Sequence, residues 1–464
     1  MAYIQNEKTT GDILYPASSL SQVHELGPKV IHSGNGIYLK DIEGHEVLDA
    51  VGGLWCVNIG YGRSELGEVM AKGATQMGYY HSFAGMSNKP QIELAKKLVG
   101  LAPSKLTKVF FGTSGSDAND TIIKIIWHYN YLKGRPNKKK LIARHNAYHG
   151  TSISSASLTG IPSFHNGYNL PIKEVIHTEN PHFYRYKLDG ECELDFSKRK
   201  AEALEGLILK EGPETIAAFF AEPIMGAGGV IDPPKGYFEE IQKVLKKYDI
   251  LMVADEVITG FGRLGSMFAS DQFGIEPDLL ASAKGITSGY FPLSATFITE
   301  EIWEVLREGS ETLGGFMHGY TYSGHPIGAM VALKNLEIIE QEKLVENAQV
   351  MGNYLHKKLH EAFDDHPHVA EIRGRGLLAA IQLILNKDAK QFFNPKDKIP
   401  HKIASKAYDL GLIVRPLPSV TSIALSPPLI INKNGIDRLV DKLLSAVNNI
   451  TDELPLQELE GVDP

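Results

Sequence analysis

Short apolar runs alternate along the chain with longer stretches in which apolar residues recur every three or four positions. The runs are Lys108–Phe111, Lys140–Arg144, Thr215–Ala221, Ile250–Asp255, Leu279–Ser282 and Leu293–Thr299. Helical spacing covers 64–79, 90–101, the segment in which Ile122, Ile126 and Tyr129 share a face, about 197–211 and about 234–248. Continuous apolar strands between helices predict a mostly parallel sheet covered on both faces. From His318 to Pro326 this rhythm breaks. Helices are expected at about 325–341, 343–363, 400–411 and 434–449, two strands between Val369 and Leu385, and antiparallel strands across Leu412–Pro418 and Val420–Leu425. Upstream, Gly36–Asp49 alternates apolar and polar residues around Glu43-Gly44, a hairpin signature. Residues 1–35 lack periodicity and read as an arm, 160–195 as loops, and the acidic stretch 451–464 as a frayed tail.

In a sheet of this kind ligands sit outside the carboxyl ends of the strands. Ser114, Tyr148, Glu222, Asp255 and Lys284 each follow a predicted strand, so they can converge on one cleft. Asp255 and Lys284 follow neighbouring runs, and burying either charge without a partner is costly. They are either a structural ion pair or parts of a working site. Gly112-Thr113-Ser114-Gly115-Ser116-Asp117 joins a strand to a helix start, where free N–H groups and the helix dipole favour an anion. An ordinary Ser or Thr cap is the other reading of that turn. It is neither a Gly-Lys-Ser/Thr phosphate loop nor a G-x-G-x-x-G dinucleotide turn. Trp55, set among glycines in Val51–Arg63, is either a core plug or the wall of a pocket.

Composition narrows the partners. The 464 residues are 43% hydrophobic and 22% charged, ordinary globular values for a chain of two or three domains. A net charge of −8, with Lys138-Lys139-Lys140 as the densest basic run, argues against nucleic acid. Cys56 and Cys192 are the two cysteines, far apart, which suits a reducing compartment and gives neither a disulfide framework nor a zinc motif, so no metal is expected. The N-terminus has no signal-peptide pattern, and no apolar run approaches the roughly 20 residues of a membrane span. The expectation is a cytoplasmic protein without membrane partners.

A lysine amine, a buried carboxylate, an aromatic ring and an anion-binding turn at one cleft fit pyridoxal phosphate. Its aldehyde needs an amine and its ring nitrogen needs an anion. Together these groups match NAD or a metal poorly. At these residues the chain resembles the class III aminotransferases, fold-type I pyridoxal-phosphate enzymes. The resemblance runs from about Gly36 to Leu443. Its signature is Asp255-Glu256-Val257-Ile258-Thr259-Gly260-Phe261-Gly262-Arg263, then Asp278 and Ala283-Lys284-Gly285. The resemblance implies a large domain at 61–329 with a mostly parallel seven-stranded sheet, and a smaller α+β domain from 1–60 and 330–464. It implies that Lys284 is the Schiff-base lysine and proton shuttle, and that Asp255 binds the pyridine nitrogen. Val257 and Tyr148 would flank the ring, with His149 beside it, and Ser114, Gly115 and Ser116 would hold the phosphate. Glu222 would sit close to the substrate, beside the ring. Tyr320 and Thr321 would reach the phosphate of a second subunit's cofactor, which implies a homodimer and leaves a dimer of dimers open.

Gly53-Leu54-Trp55-Cys56-Val57-Asn58-Ile59-Gly60-Tyr61-Gly62, Met225-Gly226-Ala227-Gly228-Gly229 and Gly411–Arg415 resemble the amine:pyruvate branch of omega-transaminases. There Trp55, Tyr148, Ala227 and Phe83 of the other chain would line the substrate pocket, and Arg415 would bind the carboxylate of pyruvate or an amino acid. An arginine on a surface strand is the plain alternative for Arg415. Ala17, where an aromatic is common in that branch, predicts a wider pocket mouth, and Thr151 and Ala84 alter the lining. The implied reaction moves an amino group from a primary amine or omega-amino acid to a keto acid, pyruvate, by a ping-pong mechanism. The alternatives are 2-oxoglutarate as acceptor with ornithine- or 4-aminobutyrate-type donors, or an aminomutase or decarboxylase on the same fold.

Overall fold

The computed structural model describes residues 13–452 and 461–462. The N-terminal segment forms three antiparallel strands, β1 (Ile31–Asn35), β2 (Tyr38–Asp41) and β3 (Glu46–Asp49). The expected turn between β2 and β3 is held by Asp41, whose Oδ1 accepts the N–H groups of Glu43 and His45 at 3.0 and 2.9 Å. Gly44 adopts φ +87°, which glycine tolerates at no steric cost.

Seven strands make the central sheet: β4 (Leu106–Gly112), β5 (Lys140–Arg144), β6 (Val175–Thr178), β7 (Ile216–Ala221), β8 (Leu251–Asp255), β9 (Leu279–Ser282) and β10 (Ser294–Thr299). Their order is β4-β10-β9-β8-β7-β5-β6. Only β10 runs antiparallel to its neighbours; the other pairings are parallel. Side chains alternate between two cores, as the pleat demands. Phe219, Met252, Leu280 and Phe297 enter one, and Phe220, Val253, Ala281 and Ile298 the other. The helix Gly115–Leu132 covers the second face with Ile122, Ile126 and Tyr129. Phe219 is fully buried. Phe219→Ala is therefore expected to lower unfolding free energy by about 3–5 kcal/mol, read from denaturant midpoints at fixed protein concentration. A loss below about 1 kcal/mol would mean that the site collapses to fill the void.

Several elements depart from the sequence expectation. β6 lies within 160–195, expected to be loop; as an edge strand of four residues paired only with β5, it is too short and mixed to show alternation. The helix Glu300–Leu313 was not anticipated. Thr299 caps it, and Ile302, Leu306 and Gly309 form its narrow buried stripe beneath a mostly charged face. In the arm, Leu20–Leu26 is a helix with no buried residue. Residues 1–12, and 453–460 and 463–464 of the tail, lie outside the described residues.

The C-terminal strands are β11 (Val369–Arg375), β12 (Leu378–Leu383), β13 (Phe392–Phe393), β14 (Leu412–Ile413), β15 (Arg415–Leu417), β16 (Ser422–Leu425) and β17 (Gly461–Val462), the last paired with β13. β11, β12, β16 and β15 form an antiparallel sheet in that order. The expected strand Leu412–Pro418 is split between two sheets. Leu412 and Ile413 run parallel to β3, because Gly411 O and Ile413 O accept the N–H groups of Leu48 and Ala50, whereas Arg415 pairs with Ala424. No helix among the described residues is long and apolar enough to cross a membrane.

Candidate active site

β8 and β9 are adjacent and parallel, with Asp255 opposite Ala281, so the Asp255 carboxylate and the Lys284 amine emerge at the same sheet edge. They do not pair. Asp255 Oδ2 accepts hydrogen bonds from His149 Nδ1 at 2.8 Å and Asn119 Nδ2 at 2.9 Å, and Oδ1 accepts the Val257 N–H at 3.1 Å. Asp255 and His149 are buried. The carboxylate is thus compensated by hydrogen-bond donors, and one lone pair of Oδ1 remains for a further donor. Lys284 adopts φ +48°, an uncommon conformation for a non-glycine residue. Among the described residues its amine has no hydrogen bond or ion pair; its contact is with the Trp55 ring, 5.8 Å from Nζ to centroid. Burial lowers the Lys284 pKa from the usual lysine value, with Asp255 pulling the other way. A neutral amine is the form that acts as nucleophile or base.

The strand-to-helix turn after β4 does two things. Ser114 is the helix N-cap, its Oγ accepting the Asp117 N–H at 3.2 Å while Asp117 accepts the Ser114 N–H, so the ordinary cap is real. The N–H groups of Gly115 and Ser116 in the first turn still have no intrahelical acceptor and point to where an anion would sit. Ser116 Oγ accepts the Thr151 N–H at 3.1 Å. A Cβ on Gly115 would meet Val257 at 3.0 Å, so this glycine lets the helix start approach the strand that ends in Asp255.

Tyr148 is half-buried, its ring edge-on to Phe164 at 5.4 Å, and its N–H donates to Glu222 Oε1 at 3.1 Å. Glu222 Oε2 accepts the Gly226 N–H at 2.8 Å, so the buried Glu222 carboxylate ties Tyr148 to the loop containing half-buried Ala227. Burial raises the Glu222 pKa, opposed by His149 and Arg144. Arg415, on β15, is exposed and has no ion-pair partner among the described residues. It lies within electrostatic reach of Tyr148 and Lys284.

Tyr320 reaches the same helix start, whereas Thr321 and Phe83 make their contacts elsewhere. Tyr320 Oη donates to Asp117 O at 3.2 Å within the same chain, Thr321 O accepts from Tyr79 Oη at 2.6 Å, and Phe83 covers Gly319 while remaining 44% exposed. Ala17, Ala84 and Thr151 are exposed, and Ala17 and Ala84 have positive φ. Asn119 escaped the sequence reading. Its position three residues before Ile122 put a polar side chain on the buried helix face, where it must have a partner, and that signal was available.

The residues present fit pyridoxal phosphate: a free amine, a carboxylate with a spare acceptor, an aromatic ring and an open helix N-terminus lie around one sheet edge. Comparison with known proteins agrees. A family profile described as aminotransferase class-III matches residues 21–447. The chain is 46% identical to a diaminobutyrate–2-oxoglutarate transaminase of Halomonas elongata, over 92% of this chain and 91% of that one. It is 44% identical to the chloroplastic gamma aminobutyrate transaminase 3 of Solanum lycopersicum, over 96% and 86%. Among solved structures, the omega transaminase of Pseudomonas jessenii in complex with PMP superposes with a TM-score of 0.94 at 43% identity, covering 97% of this chain and 99% of that one. The chain belongs to the class III aminotransferases, enzymes that work with pyridoxal phosphate.

Proposed function

We propose that this aminotransferase takes the amino group of a primary amine or omega-amino acid and delivers it to pyruvate, giving alanine, in two half-reactions at one site. The observation that carries the acceptor class is Arg415, a cation near Lys284 without a carboxylate partner among the described residues. It would bind the carboxylate of the keto acid.

When bound, pyridoxal phosphate supplies an exchangeable carbonyl and an electron-withdrawing ring. The chain supplies the rest. The Lys284 amine would hold the cofactor and, when free, would act as the base that takes the proton from the donor carbon and then as the acid that gives the same proton up to complete the transfer. Asp255, held by His149 and Asn119, would present its carboxylate to the ring nitrogen. Tyr148 and Val257 would flank the ring, and Ser114, Gly115 and Ser116 would receive the phosphate. Glu222 positions Tyr148 through its backbone N–H. Trp55 and Ala227 would wall the substrate pocket. Class III aminotransferases are generally dimeric. In a homodimer the exposed Phe83 and Thr321 of one copy would approach the other copy's site, while the Tyr320 hydroxyl stays engaged with its own chain.

A second reading, 2-oxoglutarate as acceptor, is favoured by the relative whose name specifies that keto acid. An acceptor panel with one amine donor separates the two. Arg415→Ala is expected to lower kcat/KM for pyruvate by about 10²-fold, the worth of a charge-assisted contact in a partly dry site. The same substitution should change turnover of a small aldehyde acceptor by less than about threefold. Equal losses with both acceptors would remove Arg415 from carboxylate binding.

A further inference from the structure

Asp49 ends β3 and is 1% exposed. Its carboxylate accepts hydrogen bonds from the N–H of Val51 (2.8 Å), Gly52 (3.1 Å) and Gly53 (2.6 Å), and from Tyr61 Oη (2.5 Å). Burial, reinforced by the charge of Asp49, raises the Tyr61 pKa far above the ordinary phenol value, so its hydroxyl remains a donor. The turn gathered by these bonds is bent into the left-handed region at Gly52 (φ +59°), Gly53 (φ +69°) and Trp55 (φ +60°). For a residue as bulky as tryptophan that conformation is strained and persists only where its surroundings impose it.

The surroundings impose it from two sides. Asp49 holds the N–H groups, and opposite it Ser426 N donates to Ala50 O at 2.7 Å and Ser426 Oγ to Val51 O at 3.0 Å. The indole N–H of Trp55 is buried and has no hydrogen-bond partner among the described residues. No polar tether of its own places the ring, so its position follows from the backbone and from packing. That packing is tight at Gly226, where a Cβ would stand 3.0 Å from the indole, and the ring lies 5.8 Å from the Lys284 amine.

We propose that Asp49 is a positioning residue that sets donor-size selectivity, by clamping the Gly52–Trp55 turn so that the indole stands as a fixed wall over the reacting amine. The proposal rests on the reading of Trp55 as pocket wall. An acceptor-only group is required at Asp49. An asparagine of the same shape would turn its amide N–H onto the Gly53 N–H or, flipped, onto those of Val51 and Gly52, a donor facing donors either way.

The test compares kcat/KM for isopropylamine and for 1-phenylethylamine, with the acceptor held fixed. The proteins are wild type, Asp49→Asn, Tyr61→Phe, Trp55→Gly and the double variant Asp49→Asn/Trp55→Gly. Bound-cofactor absorbance is recorded for each. The bulky-to-small ratio is expected to rise about tenfold in Asp49→Asn and about threefold in Tyr61→Phe, the same direction as in Trp55→Gly, with cofactor retention unchanged. In the Trp55→Gly background, Asp49→Asn should move the ratio by less than about twofold, because coupled residues are non-additive. A shift that persists in the absence of the indole overturns the proposal, as does an equal loss for both amines. Should Asp49→Asn fail to fold, Tyr61→Phe decides by the same criterion. If Trp55→Gly leaves the ratio unchanged, the wall reading itself falls, and the positioning role with it.

Discussion

Lys284→Ala is expected to abolish transamination, lowering kcat by at least about 10⁴-fold, because in the proposed mechanism one side chain would supply both the covalent attachment and the proton transfer. The variant should also lose the lysine-dependent absorbance of bound cofactor. Retention of both would remove Lys284 from the reaction. The environment of the amine gives a second readout in cofactor-free protein. Burial lowers the Lys284 pKa from 10.5, so the folded chain binds this proton less tightly than the unfolded chain does. Stability from this group is therefore lowest below the lowered value and rises with pH across the window up to 10.5. Lys284→Ala lacks the buried amine and should show a flatter dependence of unfolding free energy on pH in that window. A parallel dependence in both proteins would mean that the amine is solvated.

Asp255→Asn should lower kcat by about 10³-fold, the scale on which a preorganised charge supports a transition state. The substitution preserves shape but reverses chemistry. Oδ2 accepts from His149 Nδ1 and Asn119 Nδ2, so an amide nitrogen there would confront two donors, and an amide nitrogen at Oδ1 would confront the Val257 N–H. Either rotamer leaves buried donors unsatisfied and takes the anion from the ring nitrogen. Single-turnover rates of the donor half-reaction measure this directly. A variant within about tenfold of wild type would show that Asp255 is a structural acceptor rather than part of the chemistry.

Most of the layered fold was legible because apolar periodicity reports burial, and burial here is simple. β7 and β9, buried along their whole length, read as unbroken apolar runs. The helix Gly115–Leu132 showed its face through Ile122, Ile126 and Tyr129. Periodicity failed where the buried stripe is narrow, as in Glu300–Leu313, or where a strand needs only one neighbour, as in β6. It also could not assign Leu412–Pro418 to two sheets, since which backbone offers the free N–H groups is a property of assembled strands.

The same division runs through the site. Local sequence determined which groups leave the strand ends: an amine at Lys284, a carboxylate at Asp255, a capped turn at Ser114, an aromatic at Tyr148. Strand direction and chain order follow from short-range patterning, so their convergence on one edge was implied. Whether Asp255 and Lys284 neutralise each other was not, because a charge chooses partners among all groups that folding brings near. The tertiary structure delivers His149 and Asn119 to the carboxylate and leaves the amine beside Trp55. Asp49 shows the same limit. It lies six residues from Trp55, yet the reason that the turn between them holds its shape includes Tyr61 and Ser426, the latter brought in from the far end of the chain. Hydrogen-bond satisfaction in a dry interior is a condition on the whole fold, which is why the identities of the reacting groups are written locally and their charge states and constraints are not.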